Sequence, residues 1–141
     1  MVEDEYLGHL LGITANALTR KASNNLQDFD LTIRQIGVLK ALYRENGLTS
    51  SELTERLGSD SSTVMAVVDQ LEKKGWIRRE FSLKDRRIRH LVLTEKAQFK
   101  KESLVNRVEK MNRDLINQLS DDELVSMKKT LHKILRFALD E

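Results

Sequence analysis

The chain contains no cysteine and no proline. The missing thiols exclude disulfides, thiolate nucleophiles, cysteine-based zinc sites and thiol redox sensing. The missing prolines leave nothing to break long helices. Aromatic residues are only 5% of the total. No apolar run approaches the roughly 18 residues of a membrane span, and Met1-Val2-Glu3-Asp4-Glu5 lacks the basic start of a secretory signal. What is present is 141 residues, 40% hydrophobic and 33% charged, sufficient for a buried core and too apolar for wholesale disorder. The expectation is a soluble, cytoplasmic, helix-rich protein.

The net charge of +2 says little until it is located. Residues 1–30 sum to −3, residues 31–94 to +4 and residues 95–141 to +1. Between positions 73 and 89 eight cations (Lys73, Lys74, Arg78, Arg79, Lys84, Arg86, Arg87, Arg89) face only Glu80 and Asp85, a local excess of +6. A concentrated patch on a nearly neutral chain points to a polyanion site.

Periodicity supplies the elements. Leu7, Leu11, Ala15, Leu18, Ala22 and Leu26 form a helical stripe over about 4–28, ended by Asp28-Phe29-Asp30. Thr32 caps a second helix carrying Ile36, Leu39, Leu42 and Tyr43, with Gly47 past its end. Thr49 and Glu52 form a capping box for a short third helix that Gly58 stops. Ser59-Asp60-Ser61 opens a fourth, with Val64, Val67, Val68 and Leu71 inward, ending at Lys73-Lys74-Gly75. Residues 76–81 and 88–93 read as two short strands, Ile77 with Phe81 on one face and Leu91 with Leu93 likewise. The stretch between them is too charged to bury and projects as a hairpin loop. Thr94 caps a long helix with Leu104, Val108, Met111, Leu115 and Leu119. Ser120 and Glu123 box a last one with Leu124, Met127, Leu131, Leu135 and Leu139.

This order predicts a mainly α fold with a small β-hairpin wing: a winged helix-turn-helix over residues 31–94, flanked by dimerisation helices at residues 1–30 and 95–141. The outer stripes exceed what so small a central domain can cover, so a second copy of the chain is the expected partner. If the valines of the fourth helix face inward, Ser62, Thr63, Ala66, Asp69, Gln70 and Lys73 face out, a small polar surface able to approach DNA. Thr63 and Gln70 are suited to base edges. The backbone N–H groups near Ser61 and Ser62 offer a phosphate site. On the hairpin, Lys84 suits phosphate, and Arg86, Arg87 and Arg89 suit a minor groove. Asp85 there makes sense as a brace orienting Arg87 or Arg89.

The stretch Ser61-Ser62-Thr63-Val64 through Val68-Asp69-Gln70-Leu71-Glu72-Lys73-Lys74-Gly75-Trp76-Ile77-Arg78-Arg79 resembles the recognition helix and first wing strand of the MarR (multiple antibiotic resistance regulator) family. Asp85-Arg86-Arg87, followed by Leu91-Val92-Leu93-Thr94-Glu95-Lys96, resembles that family's wing. The resemblance implies a homodimeric transcriptional regulator, usually a repressor, on a pseudo-palindromic double-stranded DNA operator and often released by a small ligand. It makes Arg87 the minor-groove arginine, Asp85 its brace, and Ser62 and Thr63 recognition-helix contacts. A small hydrophobic or phenolic effector is the family-level expectation, placed at the corner near Leu39, Leu42 and Tyr43. Two departures stand out. Ala66 and Gln70 occupy positions where many members carry basic residues, and the cysteine of the peroxide-sensing branch is missing.

An enzyme is not expected. His9, His90 and His132 are scattered, and no nucleophile, P-loop or dinucleotide motif is present. No cofactor or metal is expected either, although His9 and His132 could meet as a metal or proton-sensing pair with Asp4 or Glu5. The competing reading is a winged-helix module that binds protein rather than DNA. Such a module has no need of the basic patch.

Overall fold

After the first helix, which starts at Tyr6 without a side-chain cap, each α-helix begins where a side chain takes over an orphan backbone donor. The computed structural model describes residues 6–141, so the first residues of the expected 4–28 helix lie outside it. Helix α1 (Leu7–Asn25) is followed by a 3₁₀ turn (Gln27–Phe29) that buries Phe29 and ends on left-handed Asp30. Thr32 caps α2 (Ile33–Arg44) through a reciprocal box with Gln35, and Thr49 caps α3 (Ser50–Leu57) through one with Glu52. Gly58 closes α3 at φ +62°, a left-handed cap that glycine adopts without strain. Helix α4 (Ser61–Lys73) starts on Asp60, and Gly75 at φ +77° turns the chain into the hairpin.

Strands β1 (Ile77–Phe81) and β2 (Arg89–Leu93) pair antiparallel with Ile77 opposite Leu93 and Phe81 opposite Arg89. Each strand starts one residue later than the sequence suggests. Ile77, Leu91 and Leu93 are buried as expected, but Phe81 is 60% exposed. It lies beyond the edge of the core, and its ring takes the Arg89 guanidinium at 4.9 Å instead. A third extended segment was not evident from the sequence. Leu91 N–H donates to Leu48 O at 2.8 Å, Gly47 N–H donates to Leu91 O at 3.0 Å, and Thr49 bridges His90. The α2–α3 connection thereby ties the hairpin to the helices. His90 belongs to this tie, its Nδ1 lying 2.7 Å from the Gly47 carbonyl.

Helix α5 (Glu95–Ile116) takes its first-turn cap from Thr94, whose Oγ1 accepts from Ala97 N–H. Helix α6 (Asp121–Ala138) is boxed by Ser120 and Glu123. The chain forms two compact units, one up to Val105 and one from Asn106 to Glu141. The core of the first is Leu39, Leu42, Leu48, Leu53, Val68, Leu71, Trp76 and Leu91, all essentially without exposed surface. In the second, α6 has no buried residue at all.

Candidate nucleic-acid interface

Burial of Val64, Val67, Val68 and Leu71 fixes which way α4 faces. Ser61, Ser62, Ala66, Asp69, Gln70 and Lys73 are exposed, and Thr63 is half-buried. The small side chains leave the backbone of this face approachable. Its N-terminus is capped by a carboxylate. The Asp60 carboxylate accepts from Thr63 N–H at 2.7 Å and from Ser62 Oγ at 3.3 Å. Hydrogen bonds from Thr63 hold its carboxyl below the usual carboxylate range, with Ser62 and the nearby Arg34 adding to the effect. The Asp60 carboxylate therefore takes the Thr63 donor beside the expected phosphate site near Ser61 and Ser62. Arg34, an exposed cation on α2 beside this end, was missed because its proximity to Asp60 depends on how α2 packs on α4.

The wing loop is ordered by its own hydrogen bonds. Ser82 Oγ accepts from Lys84 N–H and Asp85 N–H, Ser82 N–H donates to Ile88 O, and Ile88 N–H donates to Asp85 O. Of the two arginines suited to the brace, Asp85 takes Arg87. Arg87 donates through Nε to Oδ1 and through Nη2 to Oδ2, each at 3.2 Å, and through its backbone N–H to Oδ1 at 3.0 Å. Those bonds depress the Asp85 carboxyl, the side-chain contact most. The Arg87 side chain is nevertheless 90% exposed. A fork held on one side and open on the other is pre-organised for a second anion or a base edge.

The eight-cation patch is smaller than the sequence suggests. Arg79 is spent on Asp69 and Glu72, both at 2.6 Å, and its side chain is only 17% exposed. It stitches β1 to α4 and engages one carboxylate oxygen of Asp69, which stays exposed. Arg78 pairs with Glu80, and Lys74 reaches the Asp30 carbonyl at 2.6 Å. Among the described residues, Lys73, Lys84, Arg86 and Arg89 form no ion pair, and together with Arg87 they make the outward cationic set.

Gln70 is not an unattached reader. Its Oε1 accepts from Nε2 of Gln35 at 3.0 Å. Among the described residues Gln35 is the one buried polar side chain of the core, 2% exposed. It was missed, although Thr32-x-x-Gln35 carries a visible capping-box spacing.

At the expected effector corner the three residues differ in exposure. Leu39 and Leu42 have no exposed surface and are close-packed core. Tyr43 is half-buried, donates to Ala97 O at 2.7 Å, and has its pKa pushed up to about 12 by burial. His9 and His132 are both exposed and fall in the two separate units, while Asp4 and Glu5 lie outside the described residues. Among the described residues no His, Asp and Glu cluster could hold a metal, and no helix is long and apolar enough to cross a membrane.

A capped short helix, a glycine turn, a polar-faced second helix and a braced cationic hairpin define a winged helix-turn-helix protein built to meet nucleic acid. Comparison with known proteins carries this to a family. Residues 29–88 match the MarR family. The transcriptional regulator SarZ of Staphylococcus haemolyticus is 31% identical over 98 residues, 67% of each chain. SarZ of Staphylococcus saprophyticus is 29% identical over 134 residues, 94% of this chain and 89% of the relative. The Staphylococcus aureus MepR–DNA complex superposes with a TM-score of 0.85 at 30% identity, covering 94% of this chain and 98% of that one. An Escherichia coli MarR mutant complexed with operator DNA gives 0.82 at 26% identity, covering 92% and 93%. The chain belongs to the MarR family, and it is a sequence-specific DNA-binding transcriptional regulator.

Proposed function

We propose that two copies of this chain act in the cytoplasm as a repressor on one pseudo-palindromic operator, without catalysis or a cofactor. Residues 31–94 bind the DNA, and residues 1–30 and 95–141 hold the copies together. Helix α4 enters the major groove, with Ser61, Ser62, Thr63, Ala66 and Gln70 toward the bases and Lys73 toward phosphate. The wing enters the minor groove with Arg87, while Lys84, Arg86 and Arg89 take neighbouring phosphates. The observation that carries this reading is the Asp85–Arg87 pair, a doubly bonded fork that still projects into solvent. A protein-docking module has no use for an arginine organised this way on a cationic hairpin.

Effector control by a small hydrophobic or phenolic molecule is part of the proposal. With Leu39 and Leu42 closed, the responsive element is Tyr43 and its bond to the start of α5. A ligand acts there only by favouring one arrangement of these elements over another.

The test is fluorescence anisotropy on operator and scrambled duplexes across a salt series. Arg87→Ala should weaken operator binding by roughly 1–3 kcal/mol, the scale of one good groove contact. The thermal melt should stay put, since the side chain is exposed. Equal losses on operator and scrambled DNA would make the wing a nonspecific basic loop.

A further inference from the structure

Gln35 sits in a network whose donors and acceptors leave no freedom of assignment. Its Oε1 accepts from Thr32 N–H at 3.1 Å and from Lys74 Nζ at 3.2 Å. Both partners are pure donors, so turning this amide over would set its NH2 against two N–H groups. Lys74 is itself anchored on the Asp30 carbonyl at 2.6 Å. The Gln35 Nε2 must therefore be the atom that meets Gln70, which it does at 3.0 Å, and the Gln70 atom facing it must be the oxygen. At 2% exposure Gln35 has no water to exchange for these partners. Gln70 is exposed, and with its oxygen engaged by Gln35 its NH2 group is the end left without a protein partner among the described residues.

We propose that Gln35 is a positioning residue that sets the polarity of base readout by Gln70. With its oxygen tied to Gln35 on α2, Gln70 presents its NH2 donors to the groove. It favours a keto base, guanine or thymine, whose O6 or O4 accepts in the major groove. It rejects the paired donor-and-acceptor contact with adenine that an unrestrained glutamine makes. The inference rests on α4 lying in the major groove, as proposed above. Its particular content is that a buried residue on a different helix, making no contact with DNA, chooses the base class.

Gln35→Glu inverts the arrangement. A glutamate still accepts from Thr32 and Lys74 and preserves the capping box, but it has no N–H for Gln70. The Gln70 amide then turns its NH2 inward and its oxygen outward, which suits the amino group of adenine or cytosine.

Binding-site selection from a random duplex library, run on the full-length protein, tests this. The parent should enrich keto over amino bases by about tenfold at one symmetric pair of positions, the discrimination expected of a single groove contact. Gln35→Glu should invert that ratio while leaving the other positions unchanged. Gln70→Ala, a surface change that keeps the fold, should erase the preference. Combined with Gln70→Ala, Gln35→Glu should then be silent. An unchanged motif in Gln35→Glu, or a preference surviving in Gln70→Ala, overturns the inference. A parent that selects no motif at all removes the groove reading itself, an outcome distinct from the other two.

Discussion

Arg87 and Asp85 show why a single residue's charge is a poor guide to its role. On Coulomb grounds alone, deleting a carboxylate close to phosphate should tighten DNA binding. The bidentate geometry predicts the reverse. Without Asp85 the Arg87 side chain regains its rotamers, so Asp85→Ala should weaken operator binding in the same anisotropy assay. Tighter binding by that variant would contradict the brace. Because its carboxyl is held below the ordinary carboxylate range, the brace persists above about pH 4 and is lost only as pH falls through the depressed value. Tyr43 runs the other way. Its folded pKa of about 12 exceeds the unfolded value of 10.0. Its contribution is therefore fully present below pH 10 and lost as pH rises toward 12. Urea melts should show stability falling between those values, and Tyr43→Phe should flatten that stretch. An equal fall in the variant would place the alkaline sensitivity elsewhere.

At the scale of elements, what was legible in the sequence was whatever is decided within a few residues. Thr49 with Glu52 and Ser120 with Glu123 name their helix starts because both partners of each box lie three residues apart. The inward valines of α4 follow from period alone. Features that depend on distant partners were not legible. Gln35 finds Gln70 across 35 positions, Arg79 is drawn away from the basic patch by Asp69 and Glu72, and Leu48 pairs with a strand some forty residues on. An apolar stripe also does not reveal which of its members stay reachable: on α2 Leu39 and Leu42 are fully buried, whereas Tyr43 is half-buried. The α3–α4 turn is local and gives a sharp expectation. A Cβ on Gly58 would meet nothing within 4 Å, so the penalty of Gly58→Ala is the backbone's alone, at φ +62°. It should lower the unfolding free energy by about 1–2 kcal/mol. Gly58→Asn should be milder, because asparagine tolerates that region. Equal stability for all three proteins in urea titration would show that the turn relaxes out of its left-handed conformation.

For the whole molecule, α6 poses the largest question. It is capped, amphipathic and 18 residues long, yet none of its residues is buried. Met127, Leu131, Leu135 and Phe137 are between 42% and 83% exposed, and Leu7 and Leu18 on α1 are also open. Each such side chain gains roughly 1.5–3 kcal/mol on full burial, and a second copy presents matching stripes. Two copies related by a two-fold axis require a DNA site with the same symmetry. Their recognition helices then contact half-sites centred about one helical turn, roughly 10 base pairs, apart. That symmetry joins the dimer, the recognition helix and the wing in one observable. The decisive measurement is a footprint of the purified protein on the DNA flanking its own gene, repeated at rising salt. The expected result is a protected inverted repeat with half-sites at that spacing, which survives salt that strips nonspecific DNA. Protection of a single half-site, or diffuse coverage that disappears uniformly as salt rises, would contradict it.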